Sequence, residues 1–128
     1  MMNDNTITRL QKLQSEFSSK RNWDKYHSPK NLSMALSVEA SELVEIFQWL
    51  NDRDIESKMN DADFTESVGE EIADIFLYLL RLSEKMNINI EAAVISKIEK
   101  NKIKYPVELS KNNAVKYNKR NNGEPGND

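Results

Sequence analysis

The sequence predicts an all-α protein: a four-helix bundle, assembled as an oligomer, followed by a polar C-terminal tail. Three observations carry that expectation. Apolar residues recur at helical spacing in four separate segments, no segment alternates with the two-residue period of a strand, and capping residues stand where the helical segments begin. The length, 128 residues, is that of one domain, and a composition of 38% hydrophobic and 30% charged residues is that of a chain able to build a core.

Taken in order, Ile7, Leu10, Leu13 and Phe17 mark a first helix over about residues 6–20, behind the capping candidates Asn5 and Thr6. The stretch RNWDKYH then breaks the period and gathers Trp23, Tyr26 and His27 in a connector. Ser28 and Pro29 fit an N-cap and first helical position, so a second helix runs from there to about Leu50. Residues 51–64 are polar, carry no apolar stripe and read as a loop. Asp63 with Glu66 resembles a capping box and starts a third helix over about 65–86. Its segment IADIFLYLLRL is apolar right round the axis, which places it at the centre of the bundle or at a subunit contact. Asn89 caps a fourth helix from Ile90 to Tyr105, and Pro106 ends it. Residues 1–110 are therefore expected to form one helical domain, and 111–128 a flexible tail poor in apolar side chains.

Several function classes fall away on composition. Gly69 is the one glycine upstream of the tail, so neither a phosphate-cradling glycine loop nor a dinucleotide fingerprint can be built. No cysteine means no disulfide, thiolate zinc site or cysteine nucleophile, and His27, the single histidine, rules out a two-histidine metalloprotease helix. The acidic runs lack the glycine of an EF-hand calcium loop. The longest apolar run, Ile75 to Leu80, is far short of the roughly 20 residues that span a bilayer, and MMNDNTITRLQ has no apolar signal core. A cytoplasmic protein without a membrane partner is expected.

Charge is polarised along the chain. Residues 39–74 hold 12 of the 21 acids and two bases, Arg53 and Lys58, a net −10 that leaves +7 on the remainder. A solvated acidic face beside a basic one accounts for this, and so does a divalent cation beside a polyphosphate. Within the acidic stretch, Glu39 and Glu42 lie three apart on the second helix, and Glu71 and Asp74 repeat the spacing on the third. If the two helices pack antiparallel, four carboxylates face one another and suit a hard divalent cation, magnesium or manganese. Asp74, set among Ile72, Ala73, Ile75 and Phe76, needs positive compensation if buried, and with Arg81 two turns along the helix and no lysine between residues 59 and 80 a metal is the more economical counter-charge. A di-iron carboxylate site would require glutamate-histidine pairs that the chain lacks. Glu45, the next acid in the row, is a further ligand, an orienting group or the base that activates water; Glu70 points away and is expected in solvent.

On the fourth helix Lys97, Asn101 and Lys104 form a row with Tyr105 beside it, either a solvated lysine face or a set of donors for phosphate oxygens. Trp23, Tyr26, His27 and Trp49 flank the second helix, where they either pack in the core or stack on and bond a nucleobase. Phe47 and Phe76 are expected in the core.

The stretches NWDKYHSPKNL, SVEASELVEIFQW, EEIADIFLYLLRL and SKIEKNKIKYPVELSKNNAVKY resemble, in order and spacing, the MazG-like all-α nucleoside triphosphate pyrophosphohydrolases, and most closely their dCTP pyrophosphatase branch. The resemblance covers about residues 7–117 and is made specific by K-x-x-x-N-x-x-x-Y-P on the last helix. It implies magnesium-dependent hydrolysis of a nucleoside triphosphate, dCTP or a related pyrimidine deoxynucleotide, to monophosphate and pyrophosphate. Carried over by motif, Glu39, Glu42, Glu71 and Asp74 are metal ligands; Glu39 and Glu42, with Glu45 from its place in the row, are the candidate catalytic carboxylates. Lys97, Asn101 and Tyr105 are triphosphate or sugar contacts, and Trp23, His27, Trp49 and Tyr78 are walls of the nucleoside pocket. Gln14 stands where vertebrate-like members tend to carry a histidine that bonds the base, a departure that loosens the expected preference for dCTP. The family also implies a homodimer or homotetramer. A non-catalytic helical module that senses nucleotides or binds proteins is the alternative; nucleic-acid binding is disfavoured by the acidic balance and a tail without clustered arginine.

Overall fold

A computed structural model describes residues 5–112 and residue 114. Among these every regular element is helical: α1 (Thr6–Lys20), a single 3₁₀ turn (Asp24–Tyr26), α2 (Pro29–Phe47), α3 (Asp52–Lys58), α4 (Ala62–Lys85), α5 (Ile90–Lys104) and α6 (Val107–Ser110). The four long helices match the expected four in number and order. The expectation of a flexible tail concerns residues that, apart from 111, 112 and 114, lie outside the described set.

The helix starts follow from side-chain oxygens that satisfy otherwise orphaned backbone donors. Asn5 accepts from Thr8 N at 2.8 Å, Ser28 from Asn31 N at 3.1 Å, and Asn89 from Ala92 N at 3.0 Å. Pro29 occupies the first turn of α2, where its missing N–H costs nothing. Asn22 and Asn87, just beyond α1 and α4, adopt the left-handed conformation with φ of 55° and 54°.

Three expectations need correction. The segment 51–64 is not a loop, because Asn51 and Asp54 form a reciprocal capping box that starts α3 without any apolar stripe. α4 begins at Ala62 because its cap is Asp61, whose Oδ1 accepts from Asp63 N at 2.9 Å, and not Asp63. α2 ends at Phe47, three residues before Leu50, with Gln48 as its cap.

The chain divides into two compact units, the first running to Ile88 and the second starting at Asn89. In the first, α4 packs along α2 and also against α1. Leu32 and Leu80, 2% and 0% exposed, anchor its core. Polar bonds add to the α1–α4 contact: Gln11 Nε2 donates to Leu80 O and Ser83 Oγ, both at 3.2 Å, and Ser15 Oγ donates to Glu84 Oε1 at 2.7 Å. Phe47 meets Phe64 edge-on, whereas Phe76, expected inside, is 36% exposed, as α4 turns only part of its apolar circumference inward. The second unit holds α5 and α6. Val94, Ile95 and Ile98 of α5 are half or more exposed.

Candidate functional site

The first unit places two chemically different regions side by side. One is acidic. Glu39 and Glu42 on α2 and Glu71 on α4 bring a carboxylate oxygen each within 4.8 Å of one another, and all three side chains are half-buried. Glu39 Oε2 and Glu71 Oε2 are fully removed from solvent and meet no hydrogen-bond donor. Among the described residues no ion pair engages Glu39, Glu42, Glu71 or Asp74. Burying an acceptor-only group without a partner costs free energy, which is lowered if the group binds a proton or a cation.

The electrostatics express that cost. The Glu39 carboxyl is pushed up to about 7, first by burial, then by the hydrogen bonds that its protonated form could give Glu42 and Glu71 and by the charges of Glu42 and Asp74. Glu71 is also raised, first by burial, against a lowering by the bond that a protonated Glu39 could give it, with Glu42 and Asp74 adding to the rise. Orphaned oxygens in an all-carboxylate donor set fit a hard divalent cation, which replaces the missing positive charge.

The other region is a cavity of about 430 Å³, within the roughly 300–1,000 Å³ of small-molecule sites. Leu10, Leu13 and Phe17 of α1 and Leu77 of α4 form its apolar wall. Trp23 and Tyr78 add aromatic surface, Trp23 standing edge-on to Phe17 with ring centroids 5.5 Å apart. Gln14, His27 and Asp74 supply its polar groups. The α1 stripe Leu10, Leu13 and Phe17 therefore faces this space and not only the core. Tyr78 has its phenol raised by burial and by the charges of Glu39, Asp74 and Glu42, which ties the cavity wall to the acidic region.

Asp74 belongs to both. It lines the cavity and its charge acts on Glu39 and Glu71, yet it is not one of the three carboxylates that converge. Arg81, the alternative to the expected metal as its counter-charge, is engaged elsewhere. That guanidinium, 5% exposed, pairs with Asp24 and with Glu84 Oε1 at 2.7 Å, donates to Ser15 Oγ at 3.2 Å, and donates from Nε to His27 Nδ1 at 3.2 Å. No sequence pattern announces this network, since Asp24 and Arg81 are 57 residues apart.

Of the residues singled out from the sequence, Gln14, Trp23, His27, Tyr78 and Asp74 thus meet in the cavity, and Glu39, Glu42 and Glu71 in the acidic group. Glu45 and Trp49, also in the first unit, are not brought in. Glu45 is exposed: each three-residue step falls about 60° short of a helical turn, so Glu45 lies about 120° round from Glu39. Trp49, beyond the end of α2, is 86% exposed and outside the cavity wall. Glu70 is exposed, as expected. In the second unit Lys97 and Asn101 lie one turn apart on α5, Lys97 exposed and Asn101 half-buried, with Tyr105 as the C-cap donating its N–H to Asn101 O at 2.8 Å. No helix among the described residues is long and apolar enough to cross a membrane.

Comparison with known proteins gives a consistent picture. A family model described as the MazG-like family matches residues 34–119. The dCTP pyrophosphatase 1 of Rattus norvegicus is 36% identical over 112 residues, 88% of this chain, and that of Homo sapiens is 32% identical over the same length. The chain spans 66% of the length of these curated relatives. The crystal structure of a pyrophosphatase from Archaeoglobus fulgidus superposes with a TM-score of 0.74 at 41% identity, covering 83% of this chain and 97% of that one.

Proposed function

The chain belongs to the MazG-like family, and from that premise we propose that it hydrolyses a nucleoside triphosphate, dCTP or a related pyrimidine deoxynucleotide, to the monophosphate and pyrophosphate. The observation that carries the reading is the adjacency of a partnerless carboxylate group and an aromatic-lined cavity, joined by Asp74. Such an arrangement suits a ligand with a flat apolar end and a multiply charged end. The relatives named dCTP pyrophosphatase support the choice of substrate class.

Glu39, Glu42 and Glu71, with Asp74 beside them, would hold magnesium or manganese. When bound, the cation supplies charge neutralisation for the triphosphate and Lewis acidity at the scissile phosphate. The protein's own part is to hold three carboxylates at fixed spacing on α2 and α4, and to receive the proton released when water attacks the α-phosphorus and the bond to the leaving pyrophosphate breaks. Trp23 and Tyr78 offer planes against which a base stacks, and Gln14 and His27 offer the polar contacts that distinguish bases. On the strength of the K-x-x-x-N-x-x-x-Y-P motif alone, Lys97, Asn101 and Tyr105 are assigned to the substrate's phosphates or sugar. A homodimer or homotetramer is proposed on family grounds.

The test is a panel of dCTP, dTTP, dUTP and dATP with magnesium, scored by release of pyrophosphate and of the matching monophosphate. Equal amounts of the two products, with pyrimidines ahead, are expected. Absence of pyrophosphate with every nucleotide, or release of orthophosphate alone, rejects the assignment.

A further inference from the structure

We propose that Arg81 is a positioning residue that fixes the hydrogen-bonding polarity of the cavity, by holding His27 as its Nε2–H tautomer so that the imidazole addresses a bound base as a donor only. A guanidinium carries donors and no acceptor. Since Arg81 Nε donates to His27 Nδ1 at 3.2 Å, that nitrogen holds its lone pair toward Arg81, and the proton of the neutral ring resides on Nε2. No described residue partners Nε2, and His27 lines the cavity.

Arg81 is itself immobilised. Its Nη1 reaches Ser15 on α1 and Glu84 on α4, and its Nη2 reaches Asp24 in the connector, so three parts of the unit orient one planar group. Asp24 adjoins Trp23, which means that the same guanidinium also tethers the aromatic wall. The two carboxylates balance its buried charge. The ring stays neutral for a related reason: burial lowers His27, and Arg81 and Lys85 add to the lowering against the opposing charge of Asp24.

The consequence is selection by acceptor. A histidine with both nitrogens open exchanges tautomers and serves a donor or an acceptor equally, whereas one held by Arg81 repels an N–H edge. A base is favoured when a carbonyl oxygen or an unprotonated ring nitrogen, such as O2 or N3 of cytosine, lies against His27. Gln14, whose amide offers both senses, does not impose this choice. The step from tautomer to base selection rests on the nucleotide reading proposed above, whereas the tautomer itself does not.

The single histidine makes the experiment direct, since ¹⁵N-labelled full-length protein has one imidazole. Long-range proton–nitrogen correlation on the free protein at pH 7.5 should show Nδ1 unprotonated and Nε2 protonated, without averaging. In Arg81→Gln the two nitrogen shifts should move together as tautomers exchange, and Arg81→Lys, which keeps a donor, should restore them at least in part. A protonated Nδ1 or averaged shifts in the parent protein overturn the proposal even if the Arg81 variants do not fold. Addition of α,β-methylene-dCTP with magnesium should then shift Nε2 and its proton, and Arg81→Gln should raise KM for dCTP roughly tenfold while kcat changes less than about twofold. Turnover of dCTP with an unmoved Nε2 overturns the selecting role, as does an equal loss in kcat and none in KM. If no nucleotide binds, the functional reading and base selection fail together, and the tautomer measured on the free protein shows that the failure lies with the ligand and not with the Arg81–His27 bond.

Discussion

Glu39 on α2 and Glu71 on α4 each bury one carboxylate oxygen, and neither oxygen meets a hydrogen-bond donor. The pair therefore lies at an interface between helices where two acceptors face each other, an arrangement that lowers stability unless a positive charge joins it.

Magnesium or manganese should raise the melting temperature. A ligand that binds the folded state alone stabilises it by mass action, about 2.7 kcal/mol at one hundred times Kd. Differential scanning calorimetry with chelator and then with excess cation measures this directly, and pyrophosphate release should vanish and return in the same two conditions. An unchanged melting temperature would remove the cation from the Glu39, Glu42 and Glu71 group.

The metal-free protein should lose stability as pH rises from about 4.5 to about 7. Glu39 holds its proton up to about 7 when folded, against an ordinary value of 4.5, so across that interval the folded state binds the proton that the unfolded chain has released. His27 works in the opposite sense. Its folded value lies below 6.5, so its contribution is present above 6.5 and declines as pH falls. Thermal melts of Glu39→Gln should isolate the two: the decline with rising pH should shrink, leaving the His27 slope, and the variant should be more stable than the parent at pH 8 without metal.

Asp74→Asn should reduce turnover about 100-fold with the helical circular dichroism unchanged, because it removes a charge bordering both the cavity and the acidic group. Trp23→Ala should instead alter the ratios of kcat/KM among dCTP, dTTP, dUTP and dATP, through loss of a stacking plane worth about 1–3 kcal/mol. Lys97→Ala should weaken all four nucleotides by a common factor. Uneven rescaling by Lys97→Ala, with uniform rescaling by Trp23→Ala, would reverse these two assignments.

Gly69→Ala should stabilise the protein by about 0.5–1 kcal/mol. The glycine lies inside α4, and a Cβ added there meets nothing within 4 Å, so the change gains helix propensity without a clash. Leu80→Ala, at a side chain with no exposure, should cost about 2–5 kcal/mol. Urea titration of both variants reads the two signs.

What the sequence made legible was short-range. Asn5, Ser28 with Pro29, and Asn89 start helices because their caps act within three residues, and all three starts are found in the structure. The spacing of Glu39 with Glu42 likewise survives as a shared face on α2. The α3 helix was hidden because its stability comes from a capping box and not from an apolar stripe, although Asn51 and Asp54 stand at the box spacing. Long-range matters were illegible. No sequence pattern announces that Ser15, Asp24 and His27 meet Arg81, and the drift of a three-residue repeat round the helix, which turns Glu45 outward, shows only when the angle is followed past the first pair.

The capping box that opens α3 also bears on how fast the acidic group assembles. The segment between α2 and α4 need not be searched as a free loop, because Asn51 and Asp54 organise seven of its residues through bonds three positions apart. Closing a partly stiffened segment costs less chain entropy than closing a fully flexible one, and contacts close in sequence form early. The helices that carry Glu39, Glu42 and Glu71 are therefore brought together at a smaller chain-entropy cost than a fully flexible connection would impose, and across a shorter stretch of chain than the bonds from α1 to Arg81.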